Sequence, residues 1–71
     1  MKYEFQIDGD NLAVELISED VINFNNGDKI NIVFHDIAHK KTYKIRATEH
    51  NLLLIKSNAY LDKTIIYLEE I

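Results

Sequence analysis

The chain has 71 residues, 46% hydrophobic and 28% charged, with a formal net charge of −4. That is one domain's length, too apolar for a disordered segment and too acidic for general nucleic-acid binding. The absence of cysteine excludes disulfide staples and thiolate zinc sites, so a small core has to be supplemented by tight packing, self-association or a partner.

The first residues, Met1-Lys2-Tyr3-Glu4-Phe5, lack the charged-then-apolar pattern of a secretory signal. In Lys2 to Ile7, Tyr3, Phe5 and Ile7 alternate with Lys2, Glu4 and Gln6, the period-two pattern of a half-buried strand. Asp8-Gly9-Asp10-Asn11 is a turn signal, and Leu12, Val14 and Leu16 form the next apolar row. Asp8, Asp10 and Asn11 lack the further oxygens and closing Glu of a calcium loop and read as a polar hairpin turn.

Ile22 and Phe24 alternate ahead of a second turn signal, Asn25-Asn26-Gly27-Asp28, with Ile30, Ile32 and Phe34 alternating after it. The stretch Phe24 to Ile32 resembles the apolar-x-x-Gly-Asp-x-apolar-x-apolar hairpin of SH3-like and other small barrels. That resemblance implies a fold type and carries no function.

His35-Asp36-Ile37-Ala38-His39 places two imidazoles four residues apart with an acid between them. In a zinc helix such spacing puts both rings on one side of the metal, but here His35 ends a strand and His39 lies in the following loop. His35, Asp36 and His39 are therefore weak metal candidates. No third ligand follows except the distant His50, and no cofactor motif is present.

Tyr43, Ile45 and Ala47 then alternate with Thr42, Lys44, Arg46 and Thr48. Lys40, Lys41, Lys44 and Arg46 make this the one region where the charge inverts. They are candidate contacts for a nucleotide, an RNA or another anion, set against the plainer reading of a strand edge protected by lysines. Ser18 and Ser57 have no placeable histidine partner, and no glycine-rich phosphate loop exists, so a non-enzymatic protein is expected.

The C-terminal third is apolar on both faces. Leu52-Leu53-Leu54-Ile55 is the longest apolar run, far short of the roughly 18 residues that span a bilayer. Ile65-Ile66-Tyr67-Leu68 is similar. Leu61, Ile65 and Leu68 also fit helical spacing, but Thr64-Ile65-Ile66-Tyr67 is stiff at χ1 and Glu69-Glu70 oppose a helix dipole, so strand is favoured.

The expected fold is all-β: a small SH3-like barrel or curled antiparallel meander of five to seven short strands, with a C-terminal helix as the alternative ending. Val33, Leu52, Leu54, Ile66 and Leu68 are expected to lie opposite their strands' core faces, as an exposed apolar patch that marks an interface. The expectation is a cytoplasmic interaction module that forms a homo-oligomer or docks on a larger protein. Seven lysines to one arginine suit an AT-rich genome, such as that of a low-GC bacterium or its phage, and the size suits an accessory or inhibitor subunit. The alternative is a barrel binding a nucleotide, RNA or other anion through residues 39–46.

Overall fold

The computed structural model describes residues 1–7, 13–36 and 39–71. Five strands form one mixed, strongly curled half-barrel sheet, with no helix among the described residues. They are β1 (Lys2–Ile7), β2 (Ala13–Ile17), β3 (Lys29–Phe34), β4 (His39–Ile55) and β5 (Asn58–Glu70). The C-terminal segment is a strand, in keeping with its β-branched and aromatic run. The first turn signal, at residues 8–11, lies outside the described residues, but β1 and β2 on either side of it pair antiparallel.

The strand order is β2-β1-β5-β4-β3. Three pairs of strands adjacent in the chain, β1–β2, β3–β4 and β4–β5, are antiparallel, but β1 and β5 are parallel, with Tyr3 beside Thr64 and Ile7 beside Leu68. The sheet is therefore mixed, with one parallel contact among antiparallel ones. Nothing local to either strand announces this pairing, because the two are separated by most of the chain.

The concave face holds the core: Tyr3, Phe5, Ile7, Tyr43, Ile45, Ile66 and Leu68, with Val14, Phe24, Ile30 and Ile32 packed against it. Residues 18–28 cross from one sheet edge, β2, to the other, β3, as an irregular strap. Phe24 pins the strap down. Its ring meets Tyr3 and Phe5 edge-on, with centroids 5.3 and 5.4 Å away, and the Tyr3 hydroxyl accepts a 2.9 Å hydrogen bond from the Ile22 amide. The alternation of Ile22 and Phe24 therefore marks an anchored strap and not a strand.

The second turn forms as its residues dictate, but it links strap to strand and does not close a hairpin. Asp28 N–H donates to the Asn25 carbonyl at 3.0 Å, and the Asp28 carboxylate accepts from the Asn25 amide at 3.0 Å. Gly27 adopts φ +92°, a region closed to most side chains by sterics, although open space surrounds the position.

Two bulges decide which side chains face inward. Arg46 is an extra residue in β4, since Ile45 pairs with Leu68 but Ala47 pairs with Tyr67. Alternation on β4 therefore changes phase: Tyr43 and Ile45 face the core, and beyond the bulge Thr48, His50, Leu52 and Leu54 take that face. Asp62 is the second extra residue, in β5, between the pairs Asn51–Lys63 and Leu52–Leu61.

Candidate interaction surface

β4 and β5 run on together past the rest of the sheet. β3 pairs with β4 only as far as Lys44, and β1 pairs with β5 only from Thr64 onward. Residues 46–55 and 58–63 thus form a two-stranded arm with no further strand on either side among the described residues. Eight residues from Thr48 to Ile55 extend about 26 Å at strand rise, which accounts for a molecule measuring 46 × 23 × 23 Å.

The arm is apolar on both faces. Cross-strand pairing puts Leu52 with Leu61 and Leu54 with Ala59 on the concave side, and Leu53 with Tyr60 on the convex side, where Ile55 joins them. Leu52, Leu53, Leu54, Ile55, Tyr60 and Leu61 are 41–70% exposed. No charged residue lies between Leu52 and Ile55 or between Asn58 and Leu61. The arm turns at Lys56-Ser57, where Lys56 occupies the left-handed region at φ 55° without being glycine.

Nearer the body the convex face is polar and internally paired. The Glu4 carboxylate accepts from the Gln6 amide at 2.8 Å and from Lys63 at 3.3 Å. The Gln6 bond, reinforced by Lys63, holds the Glu4 carboxyl below its ordinary pKa against the opposing effect of desolvation. The Tyr67 hydroxyl donates to Glu49 at 2.7 Å, which raises the phenol's pKa, and the Arg46 guanidinium lies 5.5 Å from the Tyr67 ring centre. Lys2 and Glu15 pair at 3.1 Å on the same face. This polar dressing stops at Lys63 and the Asp62 bulge.

On the concave side, an open groove of about 180 Å³ lies at the root of the arm. Its walls include Met1, Val21, Ile22 and Leu61, and on its floor His50 Nδ1 and Thr64 Oγ1 are 3.0 Å apart.

The expected interface residues separate into three groups. Leu52 and Leu54 are on the arm, 65% and 70% exposed. Val33 is also exposed, but it sits on edge strand β3 opposite Lys40, at the far end of β4 from the arm tip. Ile66 and Leu68 are fully buried and belong to the core, which corrects their placement at an interface. Leu52 and Leu54 share the concave face with Ile66 and Leu68 beyond the Arg46 bulge, but only the latter pair lies in the core cluster against which Phe24 of the strap packs.

Lys40, Lys41, Lys44 and Arg46 do not share one face. Lys40 and Lys44 alternate with Lys41, which pairs with Ile32 on the core side, and Arg46 is the bulged residue beside Tyr67. Lys44 also pairs with Glu69 across the strand. His35 and Asp36 are exposed in the turn after β3 and His39 opens β4, with residues 37 and 38 between them outside the described set. Among the described residues no group of three or more His, Asp or Glu is placed to hold a metal ion. Asp8, Asp10 and Asn11 fall outside the described residues. Sequence reading missed Leu53, Ile55, Tyr60 and Leu61. The continuous apolar run was the available signal, since a strand apolar at every position has no face left for water.

No protein-family model matches the chain, and no curated protein or solved structure matches it either.

Proposed function

We propose that the protein is a non-enzymatic protein–protein interaction module whose binding element is the β4–β5 arm. The observation that carries this reading is the concentration of exposed leucine, isoleucine and tyrosine on both faces of an arm flanked by no further strand among the described residues. A two-stranded hairpin is marginal in water by itself, and apolar patches larger than a few hundred Å² on a small protein mark contact sites. The body supports this role by holding both arm strands at the centre of its sheet, which fixes the direction in which the arm projects.

The test is site-specific photo-cross-linking in the producing cell, with the photoreactive residue placed at Leu54 and, as a control, at Val33. Covalent adducts at position 54 and not at 33, whether with a second copy or with another protein, are the expected result. An arm that cross-links to nothing, or no more than the control, overturns the reading.

A further inference from the structure

The strap is held firmly at its two ends and lightly between them. At the first end, the Ser18 amide donates to the Met1 carbonyl at 2.9 Å, which extends the β1–β2 pairing. At the second, the Gly27 amide donates to the Ile45 carbonyl and the Ile45 amide to the Asp28 carbonyl, both at 2.9 Å. Residues 19–24 make one hydrogen bond to the sheet among the described residues, from the Ile22 amide to the Tyr3 hydroxyl. Phe24 is the one side chain of this segment packed against the core cluster. Glu19, Asp20 and Asn23 are exposed, and so are Val21 and Ile22, at 69% and 37%. Detaching the segment therefore wets little of it beyond Phe24 and breaks no rung of the sheet. It also frees six residues from a fixed backbone. Those are the conditions under which a loop opens without global unfolding.

We infer that residues 19–24 are a hinged lid, which opens as a unit on the intact sheet and closes by seating the Phe24 ring against Tyr3 and Phe5. The hinges are Ser18 at one end and the Asn25–Asp28 turn, with Gly27 at positive φ, at the other. The lid is also a wall of the groove at the root of the arm. Val21, Ile22 and Phe24 line that groove from the lid, and Leu61, His50 and Thr64 line it from the sheet. With the lid away, the concave face of the arm continues over Thr64 and Ile66 to Tyr3 and Phe5, all of them 8% exposed or less while it is closed. The lid thus decides whether the groove stops at the root of the arm or reaches the core. It does so whatever the arm binds.

Two measurements test the lid, the first on the unaltered chain. Hydrogen exchange at low denaturant concentrations should find the Ile22 amide at least about 100-fold less protected than the Ile66 amide, with a small denaturant dependence where Ile66 shows that of global unfolding. The second uses a unique thiol, since the chain has no cysteine. Thr64→Cys places it on the groove floor at a site 5% exposed, and Ser57→Cys at the arm tip is the exposed control. A bulky aromatic disulfide reagent should react roughly 100-fold more slowly at position 64 than at 57, with the same small denaturant dependence as the Ile22 amide. Adding Phe24→Ala should speed the reaction at 64 by about 10-fold or more and leave that at 57 unchanged. Far-ultraviolet circular dichroism certifies the sheet in each variant. An Ile22 amide that exchanges with the denaturant dependence of Ile66 overturns the lid, as does a thiol at 64 that reacts only through global unfolding. Reaction at 64 as fast as at 57 shows that nothing closes over the groove floor and overturns it too. Labelling indifferent to Phe24→Ala overturns the latch.

Discussion

The body and the arm are built from the same two strands and nearly the same residue types, yet they stand in opposite relations to water. In the body, Ile66 and Leu68 are fully buried beneath a strap pinned by Phe24. About four to eight residues away along β5 and its partner, Leu61, Leu52 and Leu54 continue the same concave face but are 41–70% exposed. Burial is therefore decided less by the strand than by the strap. The body's convex face is dressed with Glu4, Gln6, Lys63, Glu49 and Tyr67, and the arm's is not. The contrast separates the part of the chain that covers its own apolar surface from the part that leaves it open.

The largest expected effect separates the two regions directly. Ile66→Ala should lower unfolding free energy by about 2–5 kcal/mol, because it opens a cavity in the core. Leu54→Ala, measured in dilute monomer by the same chemical denaturation, should change it by under about 0.5 kcal/mol. Comparable losses at both sites would mean that the arm is covered within the monomer. Next comes the strap. Phe24→Ala removes both edge-on ring contacts and should cost about 2 kcal/mol, with faster hydrogen exchange at the Ile22 amide, which bonds the Tyr3 hydroxyl. Unchanged exchange there would show that Phe24 does not hold the strap.

At the arm tip, Lys56→Gly should stabilise the hairpin by up to about 1 kcal/mol, since the position already has positive φ. Thermal unfolding of the variant checks this, and a lower melting temperature would contradict it. The smallest effect concerns pH. The Glu4 carboxyl has its folded pKa depressed, first by the Gln6 hydrogen bond and then by Lys63. Its contribution is complete above the unfolded glutamate range and is lost as pH falls through the folded value. Glu4→Gln should therefore flatten the acid limb of a stability-against-pH curve, with a change under about 1 kcal/mol at neutral pH. A limb as steep as wild type would assign the acid sensitivity to other carboxylates.

Much of the body is legible in the sequence. Tyr3, Phe5 and Ile7, then Ile30 and Ile32, then Tyr43 and Ile45, alternate as core faces should, and each is found against the core. The β-branched run from Thr64 reads correctly as strand. What the pattern does not carry is phase. Alternation followed from Tyr43 puts odd-numbered residues inward along all of β4, and a single added residue, Arg46, reverses that beyond the bulge. No composition rule marks the position. The parallel contact of β1 with β5 is hidden for a different reason, because partner choice across the chain depends on a three-dimensional arrangement that neither strand encodes alone. The arm is half legible. Its apolar run is obvious, but without the point where β3 and β1 stop pairing, Val33, Ile66 and Leu68 look as available as Leu54.

The parallel contact also sets the order of events during synthesis. β5 is made after the other four described strands and is the middle strand of the sheet, so before it emerges from the ribosome β1–β2 and β3–β4 are separate ribbons with no common core. Tyr3 has to wait for Thr64, a separation that places the rate-limiting closure late and makes it slow for a chain this short. Leu52 to Ile55 leave the ribosome only a few residues ahead of β5, so the apolar run meets water late and its partner strand follows at once.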